Sequence, residues 1–475
     1  MGKQYEDISQ EQVSTAKIAV WYTIGNLFSK GVAFITTPIF TRLLSQSQFG
    51  EFSNFTSWLS IISILATFDF ATSIMRAKYD YNEKMDQYLS SVTLFSNIIT
   101  LIFYIIIECF SDYFCSLFNM DMIYIRFMFI YIIFYPAFSY MQVKHRAFRK
   151  YKFFVTLSIS SVVLTTAFSV LLVLLMENKL FGRIVGYVIP VTIMNFCLWS
   201  YIIHKGRSFS LDCIKYACKI SIPLIPHALS GILLGNSDRI MITQICGSEA
   251  NAIYSLAYQI SLLANVLWTS MNQAWAPWLY DQIHGKNYKA IRKKSKIYLG
   301  VFSILIIGVL LITPEIILIM GGRSYYDARY LMPPVILGCC FQFIYGMYVN
   351  IEIYEKKTIL ISIGTVGAAL LNIGLNAIFI PKFGYAAAAY TTLVGYIALF
   401  SFHYLIVKVN IKYLSNIYEK RFILKIISGL SLASIISLLL FHFEEIRYIL
   451  TVIYITIVII FFIKNRELII KIFKR

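Results

Sequence analysis

One lysine lies in the middle of the first long apolar stretch of the chain. Residues 16–40 are long and apolar enough to cross a bilayer, which takes about 20 residues, yet Lys30 falls near their centre. The polar residues here share one face of a helix: Thr23, Asn26, Lys30, Thr37 and Thr41. Because an ammonium in hydrocarbon costs at least about 2.5–3.5 kcal/mol, this face predicts an aqueous cavity or a protein interior. Its charge suits an anionic group.

A second set of candidate residues lies in the apolar stretch 219–246. Two early prolines permit a bend there, and His227 and Asp238 fall on one helical face. Asp238 and the adjacent Arg239 are predicted in the outer half of the membrane. Two interpretations stay open: the two residues form an ion pair that closes a gate, or they supply a proton site and an anion contact.

Further charged residues lie at predicted helix ends. Asp69 is the natural counter-ion for Arg76 or Lys78. Arg42, at the outer end of the first span, either caps its own helix or holds the exterior mouth shut. Glu352 is interpreted as a solvated helix end. The substrate-binding candidates are therefore Lys30, Asn26, Thr23, Thr37 and Arg239, and the gate or coupling candidates are Asp238, His227, Asp69 and Arg42.

The composition is that of a polytopic membrane protein. The 475 residues are 58% hydrophobic and 14% charged, whereas soluble domains carry about 25% charged residues. The net charge of +18 fits basic cytoplasmic loops, so nucleic acid is not expected as a partner. No metalloprotease, serine-hydrolase or Walker motif occurs, which argues against an enzyme and against ATP-driven transport. We expect no cofactor, and coupling to H⁺ or Na⁺ stays open.

Apolar stretches separated by short connections predict about fourteen transmembrane helices. Most of the 42 lysines and arginines fall in connections on one side, so both termini are predicted to be cytoplasmic. The predicted spans are roughly 16–40, 52–75, 88–110, 123–143, 153–176, 182–203, 219–246, 252–275, 297–320, 331–353, 359–380, 384–407, 423–442 and 447–463.

The chain also repeats itself at one offset. The residue at n resembles the residue at about n+202 at three corresponding span ends: Lys17 and Lys219, Phe52-Ser53 and Tyr254-Ser255, Phe181-Gly182 and Phe383-Gly384. This repeat predicts two six-helix lobes related by a parallel pseudo-two-fold axis around a central cavity. The predicted domains are an N-lobe (1–203), a cytoplasmic linker (204–218), a C-lobe (219–407), and two further helices with a basic tail (408–475).

Several stretches carry a resemblance to one family: Thr41–Leu44 with Phe49-Gly50, Ile222-Pro223 through Asp238-Arg239, Ala252–Ser255, Gly321–Ala328, Asn372, Asn376, and Pro381–Ala389. Over residues 15–407 the chain resembles the Wzx-type polysaccharide transporters, the O-antigen and capsule flippases. This family shares a superfamily, MOP, with the MATE drug exporters and the lipid II flippase. The resemblance implies a bacterial inner-membrane protein that moves an oligosaccharide on undecaprenyl pyrophosphate from the cytoplasmic to the outer leaflet by alternating access.

The resemblance also implies that basic cavity residues hold the diphosphate, and Lys30 fits this role. Membrane lipids are expected partners, and the polysaccharide polymerase and chain-length regulator are candidate partners. Some of the 34 tyrosines are candidates for stacking on sugars, although the sequence does not single them out. The alternatives are a MATE-type ion-coupled exporter, which would need cavity carboxylates, and a membrane enzyme or scaffold of glycan assembly. The glycan itself is not predictable.

Overall fold

The computed structural model describes residues 28, 31–32, 34–148 and 150–464. Within these ranges the chain is helical and contains no β-strand. Eleven helices of the described part are long and apolar enough to cross a membrane. The prediction of an all-α membrane protein is thereby confirmed, whereas the count of fourteen spans stays a prediction.

The chain divides into two compact units, Met1–Ala252 and Ile253–Arg475. Unit 1 therefore ends after the predicted seventh span, and each unit is described here by itself. The predicted lobe boundaries and the repeat at n+202 stay predictions.

Unit 1 begins, among the described residues, with a short helix at 34–43, labelled α1. The helices that follow it are α2 (Gln46–Thr67), α3 (Ala71–Asp80), α4 (Met85–Cys109), α5 (Ser111–Phe118), α6 (Met122–Ala147), α7 (Tyr151–Leu175), α8 (Lys179–Gly206), α9 (Leu211–Ser221) and α10 (Ile225–Cys246). The segment predicted as a linker thus includes part of α9, which buries Cys213 and Ala217 against the neighbouring helices of unit 1.

Unit 2 contains most of the long helix α11, which starts at the end of unit 1. Its helices are α11 (Ser248–His284), α12 (Tyr288–Leu311), α13 (Thr313–Met320), α14 (Met332–Tyr354), α15 (Thr358–Phe383), α16 (Ala386–Asn410), α17 (Lys420–Leu440) and α18 (Glu444–Lys464). The short helices α5 and α13 occupy positions for which the apolar pattern predicted no separate helix, because each has only eight residues.

The predicted second span is a broken helix. α2 begins with a capping box at Ser45 and ends at Thr67, and α3 starts only at Ala71. Between them Phe68 and Asp69 adopt left-handed conformations, with φ of 50° and 47°. This conformation costs an ordinary residue roughly 1–2 kcal/mol. Such breaks in membrane helices occur where the backbone lines a cavity or is buried in protein.

Close backbone packing joins the start of α2 to the start of α11 within unit 1. The Asn251 side chain donates a 2.9 Å hydrogen bond to the Gly50 carbonyl. A Cβ atom added at Gly50 would lie 1.8 Å from the Ser248 carbonyl oxygen. Glycine is therefore required by a backbone-to-backbone contact, which gives a structural reason for the Phe49-Gly50 motif.

Some buried polar side chains in each unit form hydrogen bonds between helices. In unit 1, Asn54 donates to the Phe118 carbonyl at the end of α5, over 2.7 Å. In unit 2, Asn372 of α15 donates to the Thr392 hydroxyl of α16, over 3.1 Å. Such bonds matter because a buried polar group without a partner costs about 1–3 kcal/mol.

A buried arginine in unit 2 is held by a forked ion pair. Arg447 of α18 is 2% exposed, and its two terminal nitrogens lie 2.6 and 2.7 Å from the two carboxylate oxygens of Glu315. In the sequence Arg447 lies at the first residue of the predicted span 447–463, and its position there does not indicate a buried ion pair. A bidentate pair of this kind fixes α18 against α13 by direction as well as by charge.

We predict that Gly50→Ala lowers the free energy of unfolding by about 3 kcal/mol, because the new methyl group meets backbone atoms that cannot rotate away. The matched control is Gly429→Ala in α17, where an added Cβ meets no atom within 4 Å. Thermal unfolding of the two purified variants in detergent checks this. Equal stability of the two variants would show that the contact at Gly50 is not tight.

Candidate functional site

Unit 1 contains a cavity of about 270 Å³ bounded by α2, α3, α6, α8 and α10. Its lining mixes hydroxyl groups and aromatic rings with one carboxylate: Ser60, Ser63, Thr67, Asp69, Tyr131, Tyr135, Ser139, Tyr140 and Tyr187, together with apolar neighbours. The volume is near the lower end of the range for small-molecule sites, about 300–1,000 Å³. The cavity therefore has room for a small ligand or for one part of a larger one.

Three half-buried tyrosines form a stack along this cavity. The rings of Tyr131 and Tyr135, one turn apart on α6, lie 5.5 Å apart at 22°. The ring of Tyr187 on α8 lies 6.0 Å from that of Tyr131, also at 22°. Since the rings stack on one another, their edges and hydroxyls are the parts offered to a ligand. Hydrogen bonding to polar groups of a ligand is then favoured over stacking on its rings.

Arg183 lies one helical turn before Tyr187 on α8. Its guanidinium carbon is 3.5 Å from the ring centre of Phe40 and 4.2 Å from that of Phe52. Its Nε has no hydrogen-bond partner, and no carboxylate of the described residues pairs with it. Cation–π contacts of this kind contribute about 0.5–2 kcal/mol. They hold the guanidinium in place without neutralising it, so an anion can still bind.

Arg183 is not among the site residues predicted from the sequence, where it lies at the start of the predicted span 182–203. Its two aromatic partners could not be predicted, because Phe40 and Phe52 belong to helices that are distant from Arg183 in the sequence. An arginine beside two phenylalanines is recognisable only after α1, α2 and α8 are packed together.

Asp69 lines the cavity at the break between α2 and α3. The prediction that it neutralises Arg76 or Lys78 is wrong. Arg76 pairs with Asp80 over 3.2 Å, and the Lys78 ammonium donates to the Ala147 carbonyl over 2.9 Å. The helix break accounts for the difference, because Asp69 lies in the left-handed turn between α2 and α3 and not on a helix continuous with the one that carries both cations.

The predicted first-span site lies mostly outside the described residues. This applies to Thr23, Asn26 and Lys30. Of the remaining first-span candidates, Thr37 is buried, and its carbonyl accepts a 3.1 Å bond from Thr41. Arg42 is exposed and donates to the Pro38 carbonyl over 2.8 Å, which is the helix-capping arrangement. A role at an exterior mouth stays a prediction.

The candidates on α10 occupy different environments in unit 1. Asp238 is 1% exposed, whereas Arg239 is half-buried and its Nη1 lies 3.4 Å from the Asn236 side-chain oxygen. His227 is half-buried, and its Nδ1 has no hydrogen-bond partner. The gate and coupling roles of these residues stay predictions.

The interpretation of Glu352 as a solvated helix end is wrong. Glu352 is 0% exposed, and its Oε1 lies 2.8 Å from Nδ1 of His403, which is also 0% exposed. The residue is in the last turn of α14, but α16 covers that turn. A terminal position in the sequence therefore did not imply contact with water.

Comparison with solved structures defines the class of the fold. The chain is similar to the lipid II flippase MurJ in an inward closed conformation, with a TM-score of 0.70, 17% identity, and coverage of 95% of this chain and 100% of that chain. It is also similar to an inward-facing multidrug resistance MATE family transporter of the MOP superfamily. That match has a TM-score of 0.60 and 13% identity, and covers 84% of this chain and 98% of that chain. The chain therefore shares its fold with the lipid II flippase MurJ and with this MATE family transporter.

The sequence comparison then gives the family. The model described as "Polysaccharide biosynthesis protein" matches residues 15–282, more than half of the chain, so the chain belongs to this family. The "Lsg locus putative protein 1" of Haemophilus influenzae is 24% identical over 361 residues, 73% of this chain and 86% of that protein. The chain therefore belongs to a polysaccharide biosynthesis family and shares its fold with the lipid II flippase MurJ.

We predict opposite responses to alanine and glycine at Asp69, in the cavity lining, and at Met75 on α3. At Asp69, with φ of 47°, alanine should lower the free energy of unfolding by about 1 kcal/mol relative to glycine, because glycine adopts this conformation freely. At the exposed helical residue Met75, the glycine variant should have a free energy of unfolding about 1 kcal/mol lower than that of the alanine variant. Thermal unfolding in detergent measures both pairs. The same order at both positions would contradict the left-handed turn.

Proposed function

We propose that the protein is a flippase that moves an undecaprenyl-pyrophosphate-linked oligosaccharide of an O-antigen, capsule or exopolysaccharide. The carrying observation is the unpaired guanidinium of Arg183, one turn from a cavity lined by tyrosine and serine hydroxyls. A permanent cation beside a hydroxyl-rich cavity matches a ligand that joins an anion to sugars. Membership of a polysaccharide biosynthesis family and a fold similar to that of the lipid II flippase support the proposal.

In this proposal each part of the ligand has its own environment. The pyrophosphate is held by Arg183 and by Lys30, with Arg239 as a further contact. Sugar hydroxyls bond to the tyrosine-lined cavity, with Asn26, Thr23 and Thr37 as further contacts. The polyprenyl chain stays in the lipid. Transport follows alternating access, and Asp238, His227, Asp69 and Arg42 act in gating or coupling.

The same proposal sets location and partners. The protein lies in the bacterial inner membrane with both termini in the cytoplasm, as the distribution of lysine and arginine indicates. The ligand is taken from the cytoplasmic leaflet and released in the outer leaflet, where the polysaccharide polymerase and its chain-length regulator would receive it.

Electrostatics make a single cation decisive for binding. At an effective dielectric constant of about 20, a unit charge 4 Å from another contributes roughly 4 kcal/mol before desolvation is subtracted. Arginine also presents a planar fork of donors that matches two phosphate oxygens. Lysine contributes charge without that fork, so the two residues are not interchangeable at this site.

We predict that Arg183→Ala and Lys30→Ala each lower glycan export at least tenfold, and that Arg183→Lys and Lys30→Arg retain part of it. Export is measured in cells that lack the native gene, as loss of surface glycan together with accumulation of lipid-linked units in the inner leaflet. Lys179→Ala is the control, because Lys179 is an exposed cation one turn before Arg183.

Protein level in the membrane must be measured for each of these variants. Wild-type export by Arg183→Ala at a normal protein level would remove Arg183 from the site, and the same result for Lys30→Ala would remove Lys30. If both variants export normally, the anion is held elsewhere, and Arg239 is the next residue to test.

We predict a separate effect of the tyrosine hydroxyl. Tyr131→Phe keeps the ring stack and removes one hydroxyl, so export should fall several-fold while the unfolding temperature stays unchanged. Tyr131→Ala removes the ring and should lower both. Tyr113→Phe, at an exposed tyrosine of α5, is the control. Unchanged export by Tyr131→Phe would show that the cavity does not bind sugar through this hydroxyl.

One observation favours a second function, ion-coupled export of a small cation as in MATE transporters. Asp69 places a carboxylate in the cavity and forms no ion pair with a described cation. Asp69→Asn distinguishes the two functions. If this variant loses export of a cationic dye and keeps glycan export, the exporter function is supported. If it loses glycan export and keeps dye export, the flippase function is supported.

A further inference from the structure

A carboxylate and an imidazole form an isolated buried pair in unit 2. Glu352 of α14 and His403 of α16 are both 0% exposed, with 2.8 Å between Oε1 and Nδ1. The second oxygen of Glu352 and the second ring nitrogen of His403 have no hydrogen-bond partner. Each side chain therefore uses only half of its bonding capacity, which is uncommon for buried polar groups.

The immediate walls of the pair are apolar or aromatic. The Tyr345 ring of α14 stacks on the imidazole, with 5.6 Å between ring centres and an angle of 18°. Gly364 of α15 covers the free ring nitrogen, and a Cβ added there would lie 3.2 Å from it. Between Thr358 and Pro381, α15 carries no titratable side chain. Tyr345 is thus the titratable neighbour in direct contact.

Charged and titratable groups on the other surrounding helices have different partners. Lys420, at the start of α17, lies over the Tyr404 ring of α16. Glu355, just after α14, accepts a hydrogen bond from Tyr413. Tyr298 of α12 stacks on a phenylalanine of α14. No ion pair of the described residues joins Glu352 or His403 to a third group.

This isolation fixes the preferred protonation state. With one proton shared between Glu352 and His403 the pair is neutral overall, whether written as carboxylate and imidazolium or as acid and imidazole. A second proton, or the loss of the first, leaves a net charge in an apolar enclosure, which is strongly unfavourable. The closed pair therefore retains one proton.

We propose that Glu352 and His403 form a proton-binding site that loads one proton, carries it as a neutral occluded pair, and releases it when the site opens. A water-exposed imidazole loses its proton near about pH 6.5, and a glutamic acid near about pH 4.3. Opening to near-neutral water frees the shared proton, and opening to the more acidic side restores it. One proton enters and the same proton leaves. Coupling of this step to export rests on the proposed transport function, but proton binding does not.

The first experiment measures protonation without transport. The full-length protein, labelled with ¹⁵N-histidine, is titrated in detergent, and His403→Gln assigns the His403 signal among the six histidines. We expect the His403 signal to change with pH in wild type, and Glu352→Gln to alter that response because it removes the carboxylate that is hydrogen-bonded to Nδ1. A His403 signal that does not change with pH, or that responds equally in wild type and Glu352→Gln, overturns the site.

The matched control is Glu355→Gln, which removes a carboxylate three residues away at the same end of α14 and should leave the His403 response to pH unchanged. An equal change in this variant would mean a general charge effect and would overturn the assignment to the pair. If Glu352→Gln does not fold, the double variant Glu352→Gln/His403→Gln replaces two half-bonded ionisable groups by neutral ones. Loss of one titrating group relative to wild type is then the expected result, and no loss contradicts the proposal.

The second experiment tests coupling. Glycan export by wild type should stop when an uncoupler dissipates the proton gradient, whereas residual export by Glu352→Gln should no longer respond to it. Unchanged uncoupler sensitivity in Glu352→Gln overturns the coupling role. If wild type exports no lipid-linked oligosaccharide at all, the proposed function fails, and the titration of His403 alone decides the proton site.

Discussion

The cost of placing a charge away from water governs much of this structure. Three buried or half-buried charges are accommodated in three ways. Arg447 is paired with a carboxylate, Arg183 is covered by two aromatic rings, and Glu352 is bonded to an imidazole. The three arrangements differ in whether the charged group can still bind an ion or change its protonation state. The forked ion pair neutralises Arg447, and its role is to hold α18 against α13. An arginine held by rings keeps its full charge, and a carboxylate held by histidine keeps the ability to change charge.

Backbone geometry imposes a second constraint, which explains where the cavity of unit 1 lies. A membrane helix that unwinds must have its free backbone groups bonded or facing water. The break at Phe68 and Asp69 meets this condition through short-range bonds, such as that from the Thr72 amide to the Asp69 carbonyl at 3.1 Å. The break places Asp69 in the cavity lining. The contact at Gly50 has the opposite effect at the other end of α2, because it allows no space between helices.

The sequence was sufficient for the helical membrane class, since apolar length and charge distribution are local properties. It was not sufficient for the site. Arg183 and Phe40 are distant in the chain, and so are Glu352 and His403, so no periodicity within one helix brings them together. Asp69 was assigned to the wrong partners because a regular helix was assumed through residues 68–70. Each error has the same physical origin: local patterns indicate which face of a helix is polar, but packing between helices decides which polar groups meet.

The division of roles proposed for Arg183 and the glutamate–histidine pair follows from their chemistry. A group that binds pyrophosphate throughout a cycle must stay charged at every stage, and arginine does so because it is not deprotonated in proteins. A group that couples to a proton gradient must change charge near neutral pH, which histidine does most readily. A single residue cannot satisfy both requirements. A protein that holds an anion and uses a proton gradient therefore benefits from two chemically distinct sites, one with a fixed charge supported by aromatic rings and one with a shared proton enclosed by apolar neighbours.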